Sequence, residues 1–256
     1  MKLRISNISK KFRSNSHYVE ALEDINLEVK EGEFVCLVGP SGCGKSTLLS
    51  LVAGLERTRR GTIEVVGKVG FMFQDAALFP WLKVRSNVAF GLKQQGMKRS
   101  ERTPLVQKYL NMVHLSAFAD SYPHELSGGM RQRAALARTL ILDPDILLMD
   151  EPFAALDAQT RELLYNELQE IWHMTKKTVM FVTHNVREAV CLGDRVVVFT
   201  ARPGRIKKEY RITLPRPRDM NDLEVAKISN EIMKELKEEI DKVVAEMLAY
   251  HSSQPA

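Results

Sequence analysis

Residues 39–46 read Gly-Pro-Ser-Gly-Cys-Gly-Lys-Ser and match the pattern GxxxxGK[ST]. The apolar run 34–38 precedes this stretch, and a helical pattern over 46–55 follows it. Glycines let such a loop point successive backbone N–H groups at phosphate oxygens, and the start of the helix adds partial positive charge. The order of strand, loop and helix therefore predicts a nucleotide-phosphate site, with Lys45 on the β- and γ-phosphates and the Ser46 hydroxyl on Mg²⁺.

A second apolar run, residues 146–149, ends in Asp150 and Glu151. An acid at the carboxyl end of a strand beside a phosphate loop can hold Mg²⁺, directly or through water. The following acid can orient and deprotonate a water that attacks the γ-phosphate. An apolar strand that ends in two acids is more often a solvated strand end. Its domain-scale distance from the phosphate loop favours the catalytic interpretation here.

Buried-type apolar runs alternate with helical patterns along most of the chain. This alternation predicts a parallel α/β sheet with right-handed crossovers. We expect short alternating strands within residues 1–33 and an inserted helical subdomain over about 85–142. Residues 201–218 contain three prolines and seven basic residues, and we expect them to be extended. Residues 222–249 carry apolar side chains at helical spacing, which predicts a final amphipathic helix.

Composition narrows the class of protein. The chain has 256 residues, of which 45% are hydrophobic, so intrinsic disorder is excluded as its main state. No apolar run approaches the roughly 18 residues of a membrane-spanning helix, and the first residues lack the apolar segment of a signal peptide. Three cysteines without CxxC spacing indicate neither a disulfide framework nor a zinc site. We expect a soluble intracellular protein, whose net charge of +5 permits an acidic partner.

Residues 126–132 read Leu-Ser-Gly-Gly-Met-Arg-Gln, close to a helical pattern over 131–142. One interpretation makes Ser127 a helix N-cap and the glycines a turn; the other is a second anion-binding helix start. This stretch resembles the signature motif of the nucleotide-binding subunits of ATP-binding cassette (ABC) transporters. Ser127 lies 23 residues before Asp150, close to the separation in that family. The resemblance covers about residues 1–210.

The resemblance implies an α/β fold of the P-loop NTPase (RecA-like) type. It implies a parallel-sheet core with an N-terminal antiparallel β subdomain, an inserted helical signature subdomain and a short C-terminal helical tail. On this basis the ATP-binding cassette spans residues 1–210, and residues 211–256 form a C-terminal extension that contains the amphipathic helix.

Other single residues resemble functional positions of this family. Gln74 resembles the Q-loop glutamine, which contacts Mg²⁺ and the attacking water. Residues 154–157 resemble the D-loop, although Ala154 stands where the family usually has serine. His184 follows the apolar run 179–182 and resembles the switch histidine that touches the γ-phosphate.

Phe12 matches the aromatic residue that stacks on adenine, and Tyr18 is the alternative. The resemblance thus implies three sets of site residues. The catalytic residues are Lys45, Gln74, Glu151 and His184. The Mg²⁺ ligands are Ser46, Gln74 and Asp150. The ATP-binding residues are Phe12, Gly39, Pro40, Ser41, Gly42, Cys43, Gly44, Lys45, Ser46, Thr47, Ser127, Gly128 and Gly129.

The family mechanism implies a head-to-tail homodimer in which each ATP lies between the phosphate loop of one copy and the signature of the other. Residues 78–81 (Leu-Phe-Pro-Trp), followed by Val-Arg-Ser-Asn-Val-Ala-Phe-Gly-Leu, resemble importers of the nitrate, sulfonate, taurine and bicarbonate type. In such transporters this region takes a helix from the membrane subunit. Phe79 and Trp81 are therefore expected either to anchor that helix or to pack in the core.

The implied function is ATP hydrolysis coupled to solute uptake, with ATP and Mg²⁺ as cofactors. The implied partners are integral membrane permease subunits and, indirectly, an extracytoplasmic solute-binding protein, with the chain peripheral on the cytoplasmic side of the inner membrane. No nucleic acid partner is expected. The alternative is a soluble ABC ATPase that acts on nucleic acid. Only 105 residues separate Lys45 from Asp150, which leaves no room for the long coiled coils of repair-type members.

Cys43 lies inside the phosphate loop, beside Lys45 and the start of a helix. Nearby positive charge of this kind lowers the pKa of a thiol. We therefore expect a reactive Cys43 whose alkylation blocks ATP binding and which ATP protects.

Overall fold

The structure is a computed structural model that describes residues 1–14 and 17–252. The chain forms two compact units, the first made of residues 1–66 and 180–256 and the second of residues 67–179. No helix in the described ranges is both long and apolar enough to cross a bilayer. In chain order the elements are β1 (Leu3–Ser14), β2 (His17–Val29), β3 (Phe34–Val38), α1 (Lys45–Val52), β4 (Arg60–Val65), β5 (Val69–Met72), α2 (Val84–Gln94), α3 (Arg99–Met112), α4 (Gly128–Leu140), β6 (Ile146–Asp150), α5 (Ala158–Thr175), β7 (Thr178–Val182), α6 (Val186–Leu192), β8 (Arg195–Phe199), β9 (Ile206–Arg211) and α7 (Leu223–Ser252).

An antiparallel sheet of order β2–β1–β4 forms one part of the first unit and confirms the expected N-terminal β subdomain. The expectation of short strands was wrong, because β1 and β2 are 12 and 13 residues long. Both continue through irregularities in their register, near which Asn7 and Asp24 adopt positive φ values of 53° and 49°. The Asn7 amide donates to the Asp24 carboxylate at 2.9 Å. Short polar side chains tolerate this backbone, so the strands bend and do not end there.

The other part of the first unit carries the strand that leads into the phosphate loop. Every residue of β3 is buried, and β3 pairs in parallel with β8. Strand β9 pairs antiparallel with β8, so the stretch expected to be merely extended contains an edge strand. The rings of Phe34 and Phe181 lie 6.0 Å apart in the core of this unit. Continuous apolar runs such as β3 indicate strands covered on both faces.

Helix α7 confirms the predicted amphipathic helix and packs against α6 and β8 of the same unit. Its apolar stripe buries Val225, Ile232 and Leu236. Ile240 is an apolar residue of the predicted amphipathic stretch 222–249, yet it is exposed. The neighbouring Glu239 is buried instead, with 1% of its surface exposed. The stripe therefore includes a carboxylate that the hydrophobic pattern did not predict.

The second unit combines a parallel strand pair with helices. Strands β5 and β6 pair in parallel, and α2, α3 and α4 lie between them in the chain. These three helices contact one another and bury Val88, Leu110 and Leu136. The expected helical insertion is therefore present, while α5 follows β6 and leads to β7. Burial of one such aliphatic side chain stabilises a fold by about 1.5–3 kcal/mol.

Candidate nucleotide-binding site

Glycines shape the phosphate loop between β3 and α1. Gly44 is the N-cap of α1 and has φ +102°, and a Cβ added there would lie 2.6 Å from Leu22 Cδ2. A Cβ added at Gly39 would lie 2.9 Å from Cys43 Sγ. Any larger residue would clash at both positions, so the loop can close this tightly only with glycine. The helix ends at Val52, earlier than predicted, and Gly54 follows with φ +71°.

Lys45 is the cation of this loop, and its side chain is buried. Its Nζ donates to Gly39 O at 2.8 Å and to Pro40 O at 2.9 Å. The N-cap of α1 is Gly44, which has no side chain with which to cap the first turn. A buried ammonium group beside a helix start without a side-chain cap is the arrangement that suits phosphate oxygens.

The Cys43 thiol lies under the loop and is only 1% exposed. Burial raises the pKa of this thiol, and the opposing effect of the Lys45 charge is smaller. The expectation of a lowered pKa was therefore wrong. The local sequence places a cation next to the sulfur, at 3.6 Å, but the fold also removes the thiol from water.

His184 lies in the first unit directly after β7, and it is exposed. The backbone N–H of Thr183 donates to Leu37 O at 3.2 Å, which ties the residue before His184 to β3. The Thr183 hydroxyl donates to the Glu188 carboxylate, and the Asn185 side chain caps α6 by accepting from the N–H of Arg187 at 3.0 Å. Both chain neighbours of His184 are thus fixed by hydrogen bonds.

Phe12 and Tyr18 lie on the paired strands β1 and β2, and both are exposed. Lys10 Nζ lies 4.7 Å from the centroid of the Phe12 ring. Tyr18 lines a cleft of about 570 Å³ with several basic side chains. The geometry keeps both residues as candidates for stacking on adenine.

Gln74 lies in the second unit, two residues beyond the end of β5, and is exposed. Its backbone carbonyl accepts from Gln132 Nε2 at 2.8 Å, and the Arg138 guanidinium donates to Ala76 O and Ala77 O at 2.7 Å each. Helix α4 therefore fixes the backbone of the Q-loop. The sequence analysis missed this role of Gln132 and Arg138, because their partners lie about 60 residues earlier in the chain.

Asp150 is the last residue of β6, and Glu151 follows it with φ +43°. Both residues are half-buried. A non-glycine residue at positive φ is uncommon and is found mostly where the surrounding structure holds it. In the D-loop, Asp157 caps α5 by accepting from the N–H of Thr160 at 3.0 Å, and this hydrogen bond lowers the pKa of its carboxyl group.

The signature opens helix α4. Ser127 is its N-cap and accepts from the N–H of Met130 at 3.3 Å, so the helix begins at Gly128, three residues before the predicted start. Ser127 is exposed, whereas Gly129 is buried, and a Cβ added at Gly129 would lie 2.5 Å from Thr160 Cγ2. The N-cap role of Ser127 is therefore confirmed, whereas the expected turn at the glycines was wrong because Gly128 and Gly129 are the first residues of α4. Anion binding at this helix start stays a prediction.

The two units divide the predicted site residues. Phe12, the phosphate loop and His184 belong to the first unit, whereas Gln74, Asp150, Glu151 and residues 127–129 belong to the second. Trp81, also in the second unit, is 70% exposed, which contradicts core packing. Phe79 is half-buried and lies 4.4 Å from Phe90 between ring centroids.

Three relatives match most of this chain. A nitrate import ATP-binding protein of Synechocystis sp. is 48% identical over 84% of both chains. An aliphatic sulfonates import ATP-binding protein of Bacillus cereus is 42% identical over 93% of this chain and 96% of its own. A taurine import ATP-binding protein of Jannaschia sp. is 44% identical over 96% of this chain and 94% of its own.

A solved structure and a family model agree with these relatives. A dimeric ATP-binding cassette, solved in a post-hydrolysis state with ADP and Pi, is 32% identical and has a TM-score of 0.74. The match covers 83% of this chain and all of the solved chain. The family model described as ABC transporter matches residues 22–154, more than half of the chain. The chain therefore belongs to the ABC transporter family and is one of its ATP-hydrolysing cassettes.

Proposed function

We propose that this chain is the ATPase subunit of an importer for a small anion of the nitrate, sulfonate or taurine type. The observation that carries the proposal is the phosphate loop of residues 39–46, with its buried Lys45 and a helix start that no side chain caps. The import relatives named above support the transport direction and the solute class. In this proposal the cassette spans residues 1–210, and residues 211–256 form an extension.

The phosphate loop binds the phosphates of ATP. Its backbone N–H groups and the Lys45 ammonium supply hydrogen bonds and positive charge at the start of α1. Phe12 supplies the aromatic face for adenine. The ADP and Pi bound by the dimeric relative support nucleotide binding by this chain.

Each proposed Mg²⁺ ligand can bind through an oxygen atom: the Ser46 hydroxyl, an Asp150 carboxylate oxygen and the Gln74 side-chain carbonyl. Such hard oxygen donors suit Mg²⁺, which usually keeps several waters and binds phosphates as well. When bound, the ion offsets the negative charge of the phosphates.

Glu151 is the general base, because its carboxylate can take the proton of the attacking water. The fixed backbone on either side of His184 supports its role as a contact to the γ-phosphate. Gln74 orients the water from a loop whose backbone α4 holds. In a head-to-tail homodimer, the signature at residues 127–129 serves the ATP of a second copy. The dimeric relative supports the formation of a dimer.

The proposed membrane partners are permease subunits, with a solute-binding protein acting indirectly from outside the cell. The chain then lies on the cytoplasmic face of the membrane as a peripheral subunit. The exposed Trp81 and its neighbour Phe79, with ring centroids 5.7 Å apart, offer an apolar anchor for a permease helix. Import relatives favour this function over action on nucleic acid.

The test is co-expression with candidate permease subunits, followed by ATPase assays of the purified complex with nitrate, sulfonates and taurine. We expect co-purification with a membrane protein and stimulation by one of these anions through a solute-binding protein. Glu151→Gln should lower turnover by about 10²–10⁴-fold while ATP still binds. Stimulation by DNA or RNA alone, without any membrane partner, would overturn the proposal.

A further inference from the structure

We propose that Arg202 is a positioning residue for the phosphate loop and that helix α7 holds Arg202 in place. Arg202 donates from both Nε and Nη2 to Gly42 O, each at 3.1 Å, across 160 residues of sequence. Both residues belong to the first unit. The inference rests on the proposed role of the phosphate loop and adds a residue that lies far outside its motif.

The contact fixes the direction of one peptide group. The peptide bond between Gly42 and Cys43 is planar, so its carbonyl and its N–H point in opposite directions. Arg202 holds the carbonyl, and the N–H of Cys43 turns back within the loop toward Pro40 O at 3.3 Å. Gly42, on the carbonyl side of this peptide, has a positive φ, and glycine allows rotation there at little cost. Arg202 therefore selects the orientation of this peptide in which the Cys43 N–H closes the loop onto Pro40 O, and so it helps to shape the loop that is proposed to bind phosphate.

The segment that carries Arg202 is itself held from both sides. The N–H of Ala201 donates to Glu239 Oε2 at 2.9 Å, and Glu239 is the buried carboxylate of α7. Lys207 Nζ lies 3.1 Å from the other oxygen of Glu239. On the far side, a Cβ added at Gly204 would lie only 1.9 Å from Cys43 O, so the segment runs directly against the loop. Helix α7 is thereby linked to the phosphate loop through a continuous chain of contacts.

The residue does not touch the reacting atoms, so its loss should change binding far more than chemistry. Arg202→Ala is expected to weaken ATP binding about tenfold, because two hydrogen bonds from a charged donor are removed. At saturating ATP the turnover should stay within about twofold, since ground-state and transition-state binding fall together. Arg202→Lys, which keeps the charge but has one donor nitrogen instead of two at Gly42 O, should recover part of the affinity.

The experiment measures binding of a fluorescent ATP analogue to the full chain, together with KM and kcat of the permease complex. Arg211→Ala, an exposed arginine of β9, is the matched control and should leave both unchanged. Glu239→Gln keeps an acceptor for Ala201 but loses the charge, and it should weaken ATP binding less than Arg202→Ala does. This variant tests the link if Arg202→Ala folds poorly.

Two negative results have different meanings. If Lys45→Ala abolishes ATP binding while Arg202→Ala and Glu239→Gln bind ATP like the wild type, the positioning role is overturned and the proposed function stands. A fall in kcat with unchanged ATP affinity would also overturn the positioning role. If Lys45→Ala binds ATP like the wild type, the proposed role of the phosphate loop itself fails.

Discussion

Two helices of this molecule begin at glycine-rich loops, yet the two starts differ in chemistry. Helix α1 has glycine as its N-cap, no side-chain cap and a buried Lys45. Helix α4 has Ser127 as its N-cap, which already accepts from the N–H of Met130, and Ser127 itself is exposed. The start of α1 thus carries a buried cation, whereas the start of α4 carries an exposed hydroxyl that already accepts a hydrogen bond.

The difference teaches that a helix dipole alone does not define a strong anion site. Partial positive charge at a helix start contributes about 0.3–1 kcal/mol when exposed, whereas a buried charged donor contributes more per hydrogen bond. At the start of α1, the helix dipole is combined with the Lys45 cation and with the hydrogen bonds that Arg202 donates to Gly42 O. Helix α4 offers the dipole and an exposed serine, which suits a site that a second copy completes.

The largest effect is expected from Lys45→Ala. This variant removes the buried cation from the start of α1, so that α1, like α4, begins without a cation in its glycine-rich loop. ATP affinity should fall by about 100-fold, because charge-assisted bonds to phosphate are lost. Equilibrium binding of a fluorescent ATP analogue measures this change. Lys237→Ala, an exposed lysine of α7, is the control and should bind as the wild type does. Equal affinities of both variants would break the comparison.

Ser127→Arg places a long side chain at the N-cap of α4. It tests whether this helix start contributes to the ATP site of a second copy. Binding of ATP to the single chain should not change, while turnover should fall about 100-fold because the electrostatic clamp at the phosphates is incomplete. Ser100→Arg, at an exposed position early in α3, controls for the added charge. A Ser127→Arg chain with normal turnover would show that α4 plays no part in catalysis.

Phe12→Ala tests the proposed stacking of the Phe12 ring on the adenine of ATP. Stacking of a base on an aromatic side chain contributes about 1–3 kcal/mol, so ATP affinity should fall about tenfold. Tyr18→Ala is the matched comparison. It should lower ATP affinity by less than about twofold, because no stacking on adenine is lost. Competition by ADP reports both values. The reverse order of the two effects would assign the adenine contact to Tyr18.

The smallest effect is expected on the alkylation of Cys43, which is buried in the loop that leads into α1. Because burial raises the pKa of its thiol, little thiolate is present at neutral pH, and alkylation should accelerate as the pH rises toward that pKa. Native protein should react severalfold more slowly than protein in denaturant, and ATP should add little protection. Mass-spectrometric mapping separates Cys43 from Cys36 and Cys191. Fast labelling at neutral pH that ATP suppresses would contradict this expectation.

Local sequence was sufficient wherever the deciding contacts lie close together in the chain. The phosphate loop, the buried strand β3 and the cap of α4 each follow from a few adjacent residues. The parallel α/β fold followed from the alternation of strands and helices and from the family resemblance, and the structural relative agrees with it.

Long-range contacts explain what the sequence could not predict. Arg202 and Gly42 lie 160 residues apart, and Arg138 and Ala77 lie 61 apart, so no local pattern joins them. Glu239 breaks the apolar stripe of α7 because it meets Ala201 and Lys207, which lie outside that helix. The thiol of Cys43 shows the same limit, since its neighbours in sequence suggest activation and its burial in the fold opposes it.

The chain has two tryptophans, and their surroundings are opposite. Trp81 is 70% exposed, whereas Trp172 is 8% exposed and donates from Nε1 to Lys177 O at 2.9 Å. A soluble quencher such as acrylamide will therefore reach one indole and spare the other. A partner that covers Trp81 should shift its emission to the blue and remove the quenching. The wild-type sequence thus carries its own optical reporter of docking, with an internal reference and no added label.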